Sequence, residues 1–314
     1  MTGFIWLLCA LACSGKDADE GDDTAGTDDT AGETGDTSDT DDTELTQEEL
    51  FAKWINVTDA SVGDLTCYDG VTWNTETVDP GCQIDATLSD STVEEFAFGT
   101  DVPNAIVNFY YADEVTGSPD VTLNADASGV FTGTVRTCTP LTYQTYTAST
   151  DYRPTYEFHE VYDFEDPQRL ELISVAETTW GTLPSIFGVV INEAEGVVAG
   201  SVEDCNGDVI EHAQVVLRGA TDGLIPSDMV VGYTYNGYPS RVHFSTTEDG
   251  IWMAMNVAPG DYIAEMYVSD GAGGQQLIGK APVQAFAGSV SVVVMNAGIE
   301  DGIDIPSSCE CSGG

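Results

Sequence analysis

The stretch 247–268, TEDGIWMAMNVAPGDYIAEMYV, has a diverged copy earlier in the same chain. Residues 128–147, SGVFTGTVRTCTPLTYQTYT, align on 249–268 without a gap at an offset of 121. Gly129 then meets Gly250, Phe131 meets Trp252, Leu141 meets Tyr262 and Tyr146 meets Tyr267. Residues 92–109 align on 201–217 with one gap, matching Gly99 to Gly207, Ala105 to Ala213 and Phe109 to Leu217. A unit that occurs twice constrains the fold more than any local signal, because both copies must fold alike.

Turn signals punctuate the unit: Asn206-Gly207, Asp249-Gly250 and Pro259-Gly260. Trp252 and Ala254 alternate on one segment, and Tyr262, Ala264, Met266 and Val268 on the next. Period-two alternation between glycine-containing turns predicts a sandwich with one buried face per sheet. The stretch then reads as a hairpin joined by Val-Ala-Pro-Gly-Asp, with Trp252 in the core. Alternating aromatics predict a strand in TYEFHEVYDFE (155–165). Two helices are expected. One starts at a Thr46/Glu49 capping box with a Leu45/Leu50 staple and runs through Ile55. The other starts at a Ser174/Glu177 box, is broken or kinked at Pro184 and ends near Gly188; it is expected to plug the junction between the sandwiches.

These positions carry a resemblance. Gly200, Val202, Asp204, Gly207, Ala213, Val215, Asp249, Gly250, Trp252, Val257, Pro259, Gly260 and Tyr262 follow the spacing of the carboxypeptidase regulatory-like domain, a transthyretin-like sandwich. The resemblance covers about 195–297, with Trp252 where the family usually has Phe. The first copy is weaker: Cys138-Thr139 stands at the Pro-Gly positions, and a disulfide at Cys138 is expected to anchor that turn. The resemblance also implies kinship with carbohydrate-binding-like folds, but fold does not give function.

Charge narrows the partners. Of 314 residues, 54 are acidic and 8 are Lys or Arg, a net −46. That excludes a nucleic-acid binder, which needs a basic patch, and argues against electrostatic docking on anionic lipid. Near the N-terminus, the apolar run 4–12 is too short to span a bilayer and reads as a secretory signal. Ala10-Leu11-Ala12 before Cys13 resembles the lipobox of bacterial lipoproteins, which implies cleavage before Cys13 and a diacylglyceryl group on its thiol. The alternative is an ordinary secretory signal without lipid. Between Asp17 and Glu49 lie 15 acids. That segment cannot bury enough surface to order itself and reads as an extended tether. Weak calcium binding is the other reading, but the DxDxDG pattern is absent.

Export implies paired cysteines. Cys67, Cys82, Cys138, Cys205, Cys309 and Cys311 allow three disulfides and fifteen connectivities. Cys309 and Cys311 are too close for easy mutual pairing, and Cys205 is the expected partner of one of them. A zinc site is the weaker alternative for Cys-Glu-Cys.

Catalytic patterns are missing. None of His159, His212 and His243 begins an HxxE or HExxH element, GxSxG does not occur, and 270–276 fails GxGxxG. The expectation is no enzyme, no cofactor and no metal. If a sugar site exists, its candidates are Tyr233, Tyr235 and Tyr238 in GYTYNGYPSR, together with Trp73; core packing or turn anchoring is the competing role.

The expected organisation is a signal peptide (1–12), a disordered acidic tether (13–45), a first sandwich with accessory helices (46–194), the regulatory-like sandwich (195–298) and a cysteine-containing tail (299–314). The expected fold is mostly β, with two related β-sandwich domains and short helices. The expected role is a non-catalytic lipoprotein of the cell envelope, with the outer membrane as its location and envelope proteins or glycans as partners. A carbohydrate-binding module is the alternative. Cys13→Ser is expected to move the protein out of the membrane fraction; unchanged partition into detergent would count against lipidation.

Overall fold

Extended chain dominates because side chains alternate between faces in a strand, and these segments alternate large apolar with small or polar residues. The computed structural model describes residues 45–68, 73, 78, 80–111, 115–163 and 169–309. After helix α1 (Gln47–Trp54), the first half contains β1 (Asp85–Glu95), β2 (Ile106–Tyr110), β3 (Val121–Asn124), β4 (Val130–Arg136), β5 (Leu141–Tyr146), β6 (Tyr152–Arg153), β7 (Thr155–Glu160) and β8 (Glu171–Ala176). Helix α2 (Glu177–Phe187) follows. The second half contains β9 (Gly196–Glu203), β10 (Gln214–Gly219), β11 (Val230–Tyr235), β12 (Tyr238–Ser240), β13 (Ile251–Val257), β14 (Gly260–Ser269), β15 (Gln275–Ala285) and β16 (Val290–Asn296).

The pairing repeats with the sequence. β1 is antiparallel to β4 and parallel to β8, as β9 is to β13 and β16. β5 lies between β2 and β7, as β14 lies between β10 and β15, all antiparallel. Even the turn at the matched glycines recurs, as an isolated bridge from Glu94 to Asp101 and from Glu203 to Val209. The fold is therefore mostly β, built of two related sandwiches.

The sandwiches are not separate bodies. β7 pairs in parallel with β16, so one sheet runs β12-β11-β13-β9-β16-β7-β5-β2-β3 through both halves. A four-stranded sheet, β4-β1-β8-β6, covers it in the first half, and a three-stranded sheet, β10-β14-β15, in the second. Leu88, Phe109, Phe131 and Tyr143 belong to the first core; Val215, Leu217, Trp252 and Met266 belong to the second.

The stretch that revealed the repeat is not a hairpin. β13 pairs with β11 and β9, whereas β14 pairs with β10 and β15. The Ala258-Pro259 link is an arch that carries the chain from one sheet to the other, and β4 to β5 crosses in the same way. Alternation cannot distinguish the two cases, because strands facing each other across a core and strands side by side both bury one face. Trp252 is fully buried, as expected, and Phe131 nearly so. Gly200, opposite Trp252 in the β9–β13 pairing, is required by packing: a Cβ there would overlap the Val293 carbonyl oxygen.

The helices correct three expectations. Thr46 and Glu49 do form the capping box, but α1 buries Leu50 in the second core, not the first. Ser174 lies in β8 and caps nothing; the N-cap of α2 is Ala176, without a side-chain bond. Pro184 does not end α2, which continues to Phe187 and closes on left-handed Gly188. The helix does cover the junction, packing beside β6, β8 and β12.

Disulfides fasten the entry segment at Cys67 and the tail at Cys309. Cys67 pairs with Cys205, 138 residues away, and Cys138 with Cys309, 171 residues away. The expected bond from Cys205 to the tail is thus replaced by one to the entry segment, because the chain crosses the second sandwich at Val62, which pairs with Glu211, before reaching the first. The bond at Cys138 matches its expected anchoring role. Cys82 is also disulfide-bonded. Cys13 and Cys311 lie outside the described residues.

Trp252→Ala is expected to cost about 3–5 kcal/mol, as large-to-small changes at buried aromatics do. Gly200→Ala is expected to cost about 1–3 kcal/mol by overpacking. Urea unfolding checks both; a loss near zero in either would refute the packing described.

Candidate functional site

The tyrosine-rich segment folds as a tight hairpin. Asn236 and Gly237 form its two-residue turn, with φ of 52° and 73°. Positive φ at both positions suits the twist of paired strands, and Asn-Gly adopts it readily. Tyr235 and Tyr238 are cross-strand neighbours, and the Gly237 N–H donates to the Asp249 carboxylate at 2.6 Å.

The three tyrosines do not form one platform. Tyr233 is a core residue, 3% exposed, and its hydroxyl accepts the Val215 N–H at 3.0 Å. Burial pushes its phenol well above the usual range. It is two residues before Tyr235, deeper in β11, where the three-stranded sheet covers that face. Tyr235 is 46% exposed and stacks on His243, ring centroids 4.7 Å apart and planes 14° apart. Tyr238 is half-buried. Val242 and Phe244 stand exposed on either side of His243. Trp73 lies elsewhere: its ring packs 5.1 Å from that of Tyr68, with the Lys280 ammonium 5.0 Å from its centroid. Of the four sequence-derived sugar candidates only Tyr235 is exposed, and its stacking partner His243 was not among them.

The other histidines occupy structural positions. His159 and His212 both have positive φ. The ring of His159 meets the Pro282 carbonyl, while the His212 backbone N–H donates to Thr246. Among the described residues, no group of three or more His, Cys, Asp or Glu is disposed to hold a metal.

A cluster of acids at the seam was not singled out from sequence. Glu157 on β7 accepts a hydrogen bond from the Tyr143 hydroxyl. Burial raises its carboxyl above the ordinary range, and the neighbouring charge of Glu160 adds to this. Glu160 on β7 and Glu203 on β9 flank β16. Both are pushed up to about 7: burial is the main cause, with Glu203 acting on Glu160 and Asp304 acting on Glu203. Asp304 in the tail is itself raised by burial. Perturbed acids often mark active sites. Here they lie where two sandwiches and the tail desolvate one another. The signal in sequence was a Glu at 157 between aromatics at 156 and 158, on a strand with both faces covered.

Comparisons with solved structures give distant likenesses. A Bacillus anthracis protein, TIE, aligns over 68% of this chain and 34% of its own length, at 16% identity and a TM-score of 0.21. The shaft pilin SpaA of Lactobacillus rhamnosus GG aligns over 68% of this chain and 98% of its own, at 11% identity and 0.23. The minor pilin GBS52 of Streptococcus agalactiae aligns over 70% and 98%, at 10% identity and 0.20. No protein-family model and no curated protein matches the chain.

The seam acids generate a pH prediction. With pKa raised from 4.5 to about 7, the folded protein keeps protons at Glu160 and Glu203 that the unfolded chain has released. Their contribution is complete below about pH 4.5 and is lost as pH rises through 7. Glu203→Gln is therefore expected to raise the melting temperature at pH 7.5 relative to the parent, with the difference vanishing by pH 4.5. A difference independent of pH would refute the assignment.

Proposed function

We propose that the chain is a non-catalytic structural and interaction module, exported and lipid-anchored at Cys13 to the bacterial cell envelope, with the outer membrane as its location. The observation that carries the reading is the unbroken nine-stranded sheet. It joins two sandwiches without a hinge, and disulfides fasten the entry segment and the tail to that body. Such a body transmits position and force, which suits a spacer or scaffold held on a tether. Disulfides agree with an oxidising compartment. The carboxypeptidase regulatory-like resemblance belongs to the second sandwich, and its matched positions Gly200, Trp252 and Gly250 serve packing and turns.

A second reading, binding of a glycan, is favoured by one observation: the Tyr235 ring is exposed and held flat by His243. Apolar sugar faces stack on such rings. Titration of the mature protein with polysaccharides and cell-wall fragments separates the two. The scaffold reading predicts no saturable binding at millimolar glycan. Saturable binding that Tyr235→Ala abolishes, with thermal stability unchanged, would replace it with the glycan reading.

A further inference from the structure

Helix α2 is held at both ends, and its middle buries Trp180 and Pro184. At its start, Glu177 pairs with Arg153, and the Thr179 hydroxyl donates to the Glu95 carboxylate at 2.7 Å. At its end, the Phe187 ring fills the space where Gly232 lacks a Cβ, and the Arg241 guanidinium donates to the Ser185 and Ile186 carbonyls. Between these anchors lie Gly181, which faces open space, and Pro184, which removes one helical hydrogen bond.

Beneath this middle lies a cavity of about 60 Å³, walled by Phe96, Trp180, Leu183, Met253, Met255 and Val292, among others. The hydroxyl in its wall, that of Thr179, is committed to Glu95. Interiors rarely keep voids larger than a water molecule, and apolar ones stay dry and accept apolar guests. At about 60 Å³ it is well below the roughly 150 Å³ that admits a benzene ring, so it suits a slim chain end. Two methionines in the wall let it adapt.

We propose that this cavity binds the end of an unbranched alkyl chain carried by a molecule without an anionic head, with the middle of α2 as one wall. The net charge of −46 disfavours anionic amphiphiles. At the end of α2 and in the link after it, Ile186 (39% exposed) and Val190 (87% exposed) are exposed apolar side chains.

The test titrates 1-hexanol into the intact protein labelled with ¹³C on its methionine methyls. Saturable shifts of Met253 and Met255 are expected, with Met229, Met266 and Met295 in the second core unmoved. Melting temperature should rise with ligand. Ala199→Leu, which fills the cavity, should abolish the shifts while the protein stays folded; if that variant does not fold, Val175→Leu serves. The proposal is overturned by shifts that do not saturate, that reach all methionines equally, or that survive the filling substitution. Phosphatidylcholine vesicles provide a second arm: the same shifts would assign the chain end to a bilayer lipid, and shifts with hexanol alone would assign it to a free molecule.

Discussion

Strand β7 is the constraint on which the rest depends. It belongs to the first sandwich by its pairing with β5 and to the second by its pairing with β16. Its two faces serve different cores. Tyr156 and Phe158 pack against the second core, with the Tyr156 ring 4.3 Å from that of Phe286. Thr155 and Glu157 face the first, where the Thr155 hydroxyl accepts the Val175 N–H and Glu157 meets Tyr143. A strand packed on both sides keeps little solvent contact, so its polar groups need partners within the protein. The acids at the seam are the cost of that placement.

The three-stranded covering sheet has its edges at β10 and β15, and the segments flanking the repeat run along both. Residues 55–65 run beside β10: the Gln214 side chain accepts the N–H groups of Asn56 and Val57, and Val62 exchanges backbone bonds with Glu211. After β16 the tail lies along β15, with the Gly298 N–H to the Ile278 carbonyl and the Lys280 N–H to the Ile299 carbonyl. At one end of the long sheet, β12 is only three residues long and contains Pro239, which blunts further pairing. The parts that lie outside the repeat in sequence thus close the repeat in space.

The repeat was legible because it preserves the residues that packing cannot exchange. Trp252 and Phe131 announced their cores, Thr46 with Glu49 announced a helix, and the glycine-punctuated turns announced the strands. What was hidden depended on long-range placement. Nothing local tells whether 257–260 joins neighbouring strands or opposite sheets. Ser174 with Glu177 has the spacing of a cap, yet β8 pairs with β1 and keeps Ser174 extended. Tyr233 and Tyr235 share a motif and differ in burial because one lies beneath the second sheet and the other at its rim. Cys205 found Cys67 because the chain enters across the second sandwich, a path that no spacing records.

Contacts at both ends of the described body reach the half farther in sequence: α1 packs in the second core, and Cys309 is bonded to Cys138 in the first sandwich. A chain delivered from its N-terminus therefore cannot finish its first sandwich before the last strands arrive. Helix α1 must wait for β10, and β7 must wait for β16. Contacts of such sequence separation slow folding, because loops have to close before they are rewarded. During delivery, the exposed edge of β7 and the apolar face of α1 would attract other chains.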